Sequence, residues 1–209
     1  MDILVVAATE MEIAPFLARQ IGVTHLITGV GVPACMYHLQ KQLHLKKYDF
    51  IIQAGVAGVF KDNRKPGSCV VVEKDVFADV GVREHSQFIS LFEMGFAGKN
   101  DAPYADGWIV NSHPFLHTSP LEKVSAITVN TIADDENINN ISQEKYKATI
   151  ETMEGAALHY VCAMEKIPYL QIRSISNRIG ERDKTRWQMK EAIEQLNKEL
   201  VNHLELLKR

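Results

Sequence analysis

The stretch ILVVAATEMEIAPF, Ile3 to Phe16, carries the reading on which the fold turns. Ile3 to Ala8 is apolar without alternation, the pattern of a short strand covered on both faces. The chain turns polar at Thr9-Glu10 and continues as EIAPFLARQI, a helical pattern in which Pro15 is tolerable only in the first turn, where its missing N–H costs nothing. A covered strand feeding a helix is the repeating unit of an α/β fold. Working outward, runs of strand length recur as HLITG (25–29), FIIQAG (50–55), CVVVE (69–73), AITVNT (126–131) and YLQIRSIS (169–176). Between them, VPACMYHLQKQLHL puts Pro33 at a first helical position and Cys35, Met36, Leu39 and Leu43 in an apolar stripe. TMEGAALHYVCAMEK places Met153, Ala156, Ala157, Tyr160, Val161 and Met164 on one face, with Pro168 marking the return to strand. A last helix over about 184–207 aligns Met189, Ile193, Leu196, Leu200, Leu204 and Leu207. The alternation predicts one domain over residues 1–209, a three-layer α/β sandwich with a mainly parallel central sheet and helices on both faces. Residues 81–122, rich in Gly, Pro, Phe and His, show no such period and read as long loops.

Composition narrows the partners. A chain of 209 residues, 46% of them hydrophobic, buries a sizeable single core. With 23 basic and 26 acidic residues the net charge is −3, which gives no general attraction to nucleic acid or to an anionic membrane. Cys35, Cys69 and Cys162 are isolated, without a CxxC pair or a histidine at metal-ligand spacing, and read as reduced packing residues. The start MDILVVAATEMEIAPF has no basic leader, and its apolar run is far shorter than the ~20 residues a bilayer span needs. The expected location is the cytoplasm. His85, His113 and His117 lack HExxH or similar spacing, so no metal site is expected.

Ligands of a covered α/β sheet collect beyond the carboxyl ends of its strands. Those positions hold Thr9, Glu10 and Glu12, then Gly29-Val30-Gly31, then Gly55-Val56-Ala57-Gly58, and finally Ser176-Asn177. GVGVPA (29–34) nominally satisfies the dinucleotide pattern GxGxxG/A. That fingerprint wants an acid near the end of the next strand, whereas Asp49 precedes FIIQAG and Pro33 removes a backbone donor, so a nicotinamide or flavin cofactor is set aside. Glu10 and Glu12 are equally explained as acids favoured by a helix dipole. Glu154, at the head of an apolar helix and followed by Gly155-Ala156-Ala157, serves either a ligand or a cap. Asn177 serves either a ligand or a turn.

Taken together, AATEMEI (7–13), ITGVG (27–31), QAGVAG (53–58), ETMEGAA (151–157) and IRSISN (172–177) resemble the nucleoside phosphorylase/nucleosidase superfamily in order and spacing. MEGAA followed by RSISN and GERDKTRW resembles its hydrolytic branch, the methylthioadenosine/S-adenosylhomocysteine nucleosidases and, more closely, the futalosine hydrolases. The resemblance implies N-glycosidic cleavage through an oxocarbenium-like sugar, which needs support for positive charge on the ribose and negative charge on the departing base. It assigns catalysis to Glu12, as the base that takes a proton from water, and to Asn177 at the leaving purine. It assigns substrate binding to Gly55, Val56, Ala57, Ile132, Met153, Glu154, Arg173 and Ser176, with Glu154 on the ribose hydroxyls. It implies no metal or organic cofactor, a small nucleoside as partner, and a homo-oligomer, dimer or higher. Phosphorylases of the superfamily carry Gly and Arg after the first strand to hold phosphate, whereas ATEMEIAP offers two acids and no arginine, which suits water.

An asparagine at 177 favours a 6-oxopurine, since its amide can donate to the oxo group and accept from a protonated N7. The implied reaction is hydrolysis of futalosine to hypoxanthine in menaquinone synthesis. Of the basic cluster Arg178, Arg182, Lys184 and Arg186, one is expected to face the substrate's 5′-side carboxylate, unless Glu181 and Asp183 neutralise the cluster by local pairing. VNTIADDENINN (129–140) is expected to flank the base, with Thr131 and Ile132 nearest. Two other readings stand beside this one: an adenine-releasing nucleosidase, and a nucleoside-binding sensor without turnover.

Overall fold

A computed structural model describes residues 1–60, 64–85 and 87–208. Strand β1 (Ile3–Ala7) leads through α1 (Glu10–Leu17) to β2 (Thr24–Ile27), and α2 (Val32–Leu45) leads to β3 (Phe50–Val59). Then come β4 (Cys69–Asp75), β5 (Gly81–Glu84), β6 (Gln87–Ser90), β7 (Tyr104–Ala105), β8 (Trp108–Val110) and the short α3 (Phe115–Thr118). The chain ends with β9 (Glu122–Thr128), α4 (Glu136–Tyr146), β10 (Ile150–Thr152), α5 (Gly155–Glu165), β11 (Tyr169–Arg178), a 3-10 turn (Lys184–Arg186) and α6 (Met189–Leu207). No helix among the described residues is long and apolar enough to cross a membrane.

The main sheet runs β2-β1-β3-β10-β9-β4-β8-β7, and β11 pairs with both β3 and β4. This corrects the expected parallel sandwich. β3, β10, β9, β4 and β11 close into a ring in which β10 runs antiparallel to β3 and β11 antiparallel to β4, while β3·β11, β9·β10 and β4·β9 are parallel. All five ring strands contribute to one cluster, Ala57, Val59, Val70, Val72, Val124, Ala126, Ile150 and Ile175, which fills the interior. Small and β-branched residues suit so tight an enclosure. The two-faced arrangement survives around β1. Ile3, Val5 and Ala7 pack under α1 and α6 with Ile13, Phe16, Leu196, Leu200 and Leu204. Leu4 and Val6 pack on the opposite face with Leu39 of α2 and Leu158, Val161 and Cys162 of α5. Each fully buried Leu or Ile of this kind stabilises the fold by about 1.5–3 kcal/mol.

Four other expectations change. Gly55-Val56-Ala57-Gly58, expected just beyond the strand FIIQAG, continue it, because β3 runs on to Val59 and passes from the open sheet into the ring. Residues 81–122 contain β5 to β8 and α3, elements of two to four residues whose periods are too short to read. On α5, Leu158, His159 and Cys162 are buried although outside the expected stripe, and Met164 within it is 50% exposed, since the first turns are enclosed on all sides. α6 begins at Met189 rather than near 184.

Pro15 also departs from expectation, lying beyond the first turn of α1. Asn197 of α6 stands beside it. Its Nδ2 donates to the Glu12 carbonyl at 2.8 Å and its Oδ1 accepts from the Phe16 N–H at 2.9 Å. The amide thus bridges two groups of the helix ladder next to the proline, with only 2% of the residue exposed.

Candidate active site

The ends of β1, β3, β10 and β11 meet at one cavity. Glu12 enters it from α1, almost fully buried. Its Oε2 accepts from the Thr9 N–H at 2.9 Å and from the Thr9 hydroxyl at 3.0 Å, and its Oε1 accepts from the Val56 N–H at 3.1 Å. The helix-start explanation is therefore partly right, because the carboxylate does bond the residue before α1. It also reaches across to β3, which a simple cap has no need to do. Glu10 is exposed and outside the cavity.

Glu154 faces Glu12 from the head of α5. It occupies the N-cap position, yet its carboxylate makes no bond to its own helix. Oε1 instead accepts from the Gly31 N–H at 2.9 Å, and Oε2 lies 3.8 Å from Nη1 of Arg173. Burial raises the Glu154 pKa, the Arg173 charge and the Gly31 N–H oppose it, and the Glu12 charge adds to the rise. The loop GVG is thereby explained: one donor at the start of α2 serves a protein carboxylate, and the next, Val32 N–H, goes to Asn130 Oδ1 at 3.1 Å. Neither is left for a dinucleotide phosphate.

Arg173 is 1% exposed, behind the two acids. A side chain at Gly55 would stand 2.3 Å from Arg173 Nη1 and 3.0 Å from Glu12 Oε1, so only glycine lets the guanidinium lie against β3. Arg173 Nη1 lies 3.4 Å from the Val56 carbonyl, while its Nε and Nη2 find no partner among the described residues. The same logic explains Gly155, where a Cβ would meet Asp75 Oδ2 at 2.2 Å and Thr152 Oγ1 at 2.8 Å. Thr128 ties this level together, donating to Asp75 Oδ1 at 2.9 Å and accepting from the Ala156 N–H at 2.8 Å. Burial pushes Asp75 up to about 7 and His159 down to about 3.

At the other side of the cavity β11 slips register between Ile175 and Asn177, so that Asn177 pairs with Gly58. Such a bulge re-aims a side chain. Asn177 Oδ1 accepts from the Ser176 hydroxyl at 2.7 Å and its Nδ2 donates to the Arg178 carbonyl at 2.9 Å, which leaves one hydrogen and one lone pair of the amide for another group. Ile132, Met153, Ile179, Trp187 and Met189 supply apolar wall.

Eight of the ten residues singled out from sequence line this cavity: Glu12, Val56, Ala57, Ile132, Met153, Glu154, Ser176 and Asn177. Gly55 and Arg173 do not; they stand behind the acids, one making room for the other. Thr131 lines the neighbouring cavity rather than this one, and Asp135 of the acidic run caps α4, accepting from Asn137 N–H at 2.8 Å. Of the basic cluster only Arg182 lines the cavity; Arg186 pairs with Glu181 and Asp183 as the local-pairing alternative expects. Glu151, Gly58, Trp187 and Met189 also line it. Glu151 was legible as the first residue of ETMEGAA, and Gly58 as the second glycine of QAGVAG.

The profile of the phosphorylase superfamily matches residues 17–209. The chain belongs to that superfamily. It is similar to the futalosine hydrolase of Streptomyces coelicolor, 26% identical over 71% of this chain, a match that spans only 62% of that protein. The futalosine hydrolase of Thermus thermophilus is 25% identical over 84% of this chain and 78% of its own length. A crystal structure of a methylthioadenosine/S-adenosylhomocysteine nucleosidase from Colwellia psychrerythraea, in complex with adenine, superposes with a TM-score of 0.81 at 18% identity over 98% of this chain and 95% of that one, which shows the shared fold. The expected enzyme class, an N-glycosyl hydrolase, is that of these relatives.

Proposed function

We propose that the protein hydrolyses the N-glycosidic bond of a 6-oxopurine nucleoside, with futalosine as substrate and hypoxanthine as the released base. The observation that carries this reading is the facing pair of buried acids, Glu12 and Glu154, in one cavity with Asn177 on its far wall. Glu12, anchored by Thr9 and Val56, takes a proton from water as the water attacks the anomeric carbon. Glu154, fixed by Gly31 and Arg173, holds the ribose hydroxyls and opposes the positive charge that develops on the sugar. Met153 packs on the ribose, and the Asn177 amide stabilises the charge leaving on the purine. Water rather than phosphate is the nucleophile, because the Thr9 donors, where a phosphate would sit, are already given to Glu12. Arg182, which lines the cavity and makes no ion pair with a described residue, is the cation this reading assigns to a carboxylate on the 5′ side.

Incubation with futalosine, inosine, methylthioadenosine and aminofutalosine, each without phosphate, followed by chromatography of the freed base, tests the reading. Hypoxanthine from futalosine is the expected result. Adenine release without hypoxanthine would replace it with the adenine-specific alternative, and no base from any substrate would favour a sensor.

A further inference from the structure

Glu151 has no part in the chemistry described above, yet it lines the same cavity as Asn177. The register of three adjacent strands places them. Glu151 of β10 pairs with Gly58 of β3, and Asn177 of β11 pairs with the same Gly58 from the other side. The two side chains therefore flank a position that has none, two strand spacings apart, or about 9.5 Å between their Cα atoms. A Cβ at Gly58 would stand 2.9 Å from Ile179 Cγ1 and 3.7 Å from Asn177 Nδ2, so glycine keeps the slot between acid and amide open. The carboxylate of Glu151 is nearly buried and accepts no hydrogen bond from a described residue. A side chain needed only for packing there would be apolar, as Ile150 beside it is, since a buried acid without donors weakens the fold.

We infer that Glu151 is a specificity-determining residue that reads the N1 edge of the purine, its carboxylate accepting the N1–H of a 6-oxopurine while Asn177 meets the O6/N7 edge. Adenine presents an acceptor at N1 instead, so it faces a like acceptor in Glu151 unless that acid takes up a proton. This rests on the proposed purine nucleosidase activity and adds to it the residue that selects the base. Burial, with the charge of Asp79 adding to it, pushes Glu151 up to about 7. The charged groups around it are Asp79 and Arg83 in the adjoining cavity, and Glu12, Glu154, Glu181 and Arg182 in its own. A 6-oxopurine that donates from N1 fixes the carboxylate form, and the displaced proton leaves to solvent.

The test is the ratio of kcat/KM for inosine to that for adenosine at pH 8.5, where an acid held at about 7 is ionised, measured in the wild type and in Glu151→Gln. Glutamine offers either an acceptor or a donor to N1, so the ratio is expected to fall by about ten- to a hundredfold, the size of one charge-assisted hydrogen bond. A variant that keeps its hydrolysis of inosine with an unchanged ratio overturns the inference and leaves the proposed activity standing; a wild type that releases no base from inosine or futalosine removes the activity itself. A second measurement needs no variant. Calorimetric titration of the wild type with hypoxanthine, in buffers of different ionisation enthalpy between pH 6 and 8, should show net proton release, and binding without release overturns the assignment.

Discussion

Gly55→Ala adds one methyl group at the point where the proposed site is tightest. The new Cβ would lie 2.3 Å from Arg173 Nη1, where ordinary contact begins at 3.4 Å, so the guanidinium must retreat by about 1 Å. It has no room to do so, at 1% exposure and with Glu12 Oε1 only 3.0 Å from the same Cβ. Overpacking of this kind costs about 1–3 kcal/mol, which in a chain of this size lowers the melting temperature by roughly 2–12 °C. The effect on turnover is larger in proportion, because a displacement of about 1 Å in a positioning group costs on the order of a hundredfold. The assay pairs thermal unfolding with kcat for base release at saturating substrate. A Gly55→Ala protein that melts a few degrees lower and loses about a hundredfold in kcat bears out the argument. A variant with wild-type kcat would show that neither Arg173 nor Glu12 depends on the place glycine makes.

Three further outcomes are expected. Glu12→Gln keeps its shape but cannot take a proton from water, so substrate binding by calorimetry persists while kcat falls by about a hundred- to ten-thousandfold; full activity would remove the base from its role. Asn197→Ala removes the amide that accepts from the Phe16 N–H and donates to the Glu12 carbonyl, at about 1–3 kcal/mol in all, and urea unfolding should show that loss together with reduced kcat. Asp75→Asn changes the pH dependence of stability. With Asp75 held at about 7 in the folded protein and near ~3.9 when unfolded, the folded state binds more protons between those values, so the wild type loses stability from this group as pH rises from about 4 to 7. His159, held at about 3, acts in the opposite sense as pH falls below about 6.5. Removing the acid should therefore make stability climb more steeply with pH across that window, as urea midpoints at pH 4.5 to 7.5 can record, and parallel curves would contradict the assignment.

The open part of the sheet was readable because β1 and the first half of β3 are apolar runs of strand length, and β11 carries Leu170, Ile172 and Ile175 through a run of the same length. The closed ring was not. Ring closure depends on β11 pairing with β4 and on β10, three residues long, running antiparallel to β3, and neither pairing leaves a period in the sequence. Most of the site was legible because its residues sit in short motifs near strand ends. What misled was QAGVAG, where glycines taken to mark the strand's end lie inside it: Gly55 opens space for Arg173 and Gly58 for whatever enters between Glu151 and Asn177. Glycine looks the same in sequence whether it turns the chain or admits a neighbour.

The bridge from Asn197 to Glu12 has a consequence for the order in which the molecule can become competent. Glu12 leaves the ribosome well before Asn197, and the amide that braces its backbone lies 185 residues later. At about 5–20 residues per second, roughly 10–40 s separate the two during synthesis. Through that interval α1 has its proline but not the amide that bridges the ladder beside it, and the proposed base is not yet held. Catalysis that follows this geometry then waits on α6, and base release can serve as a clock for the docking of that helix.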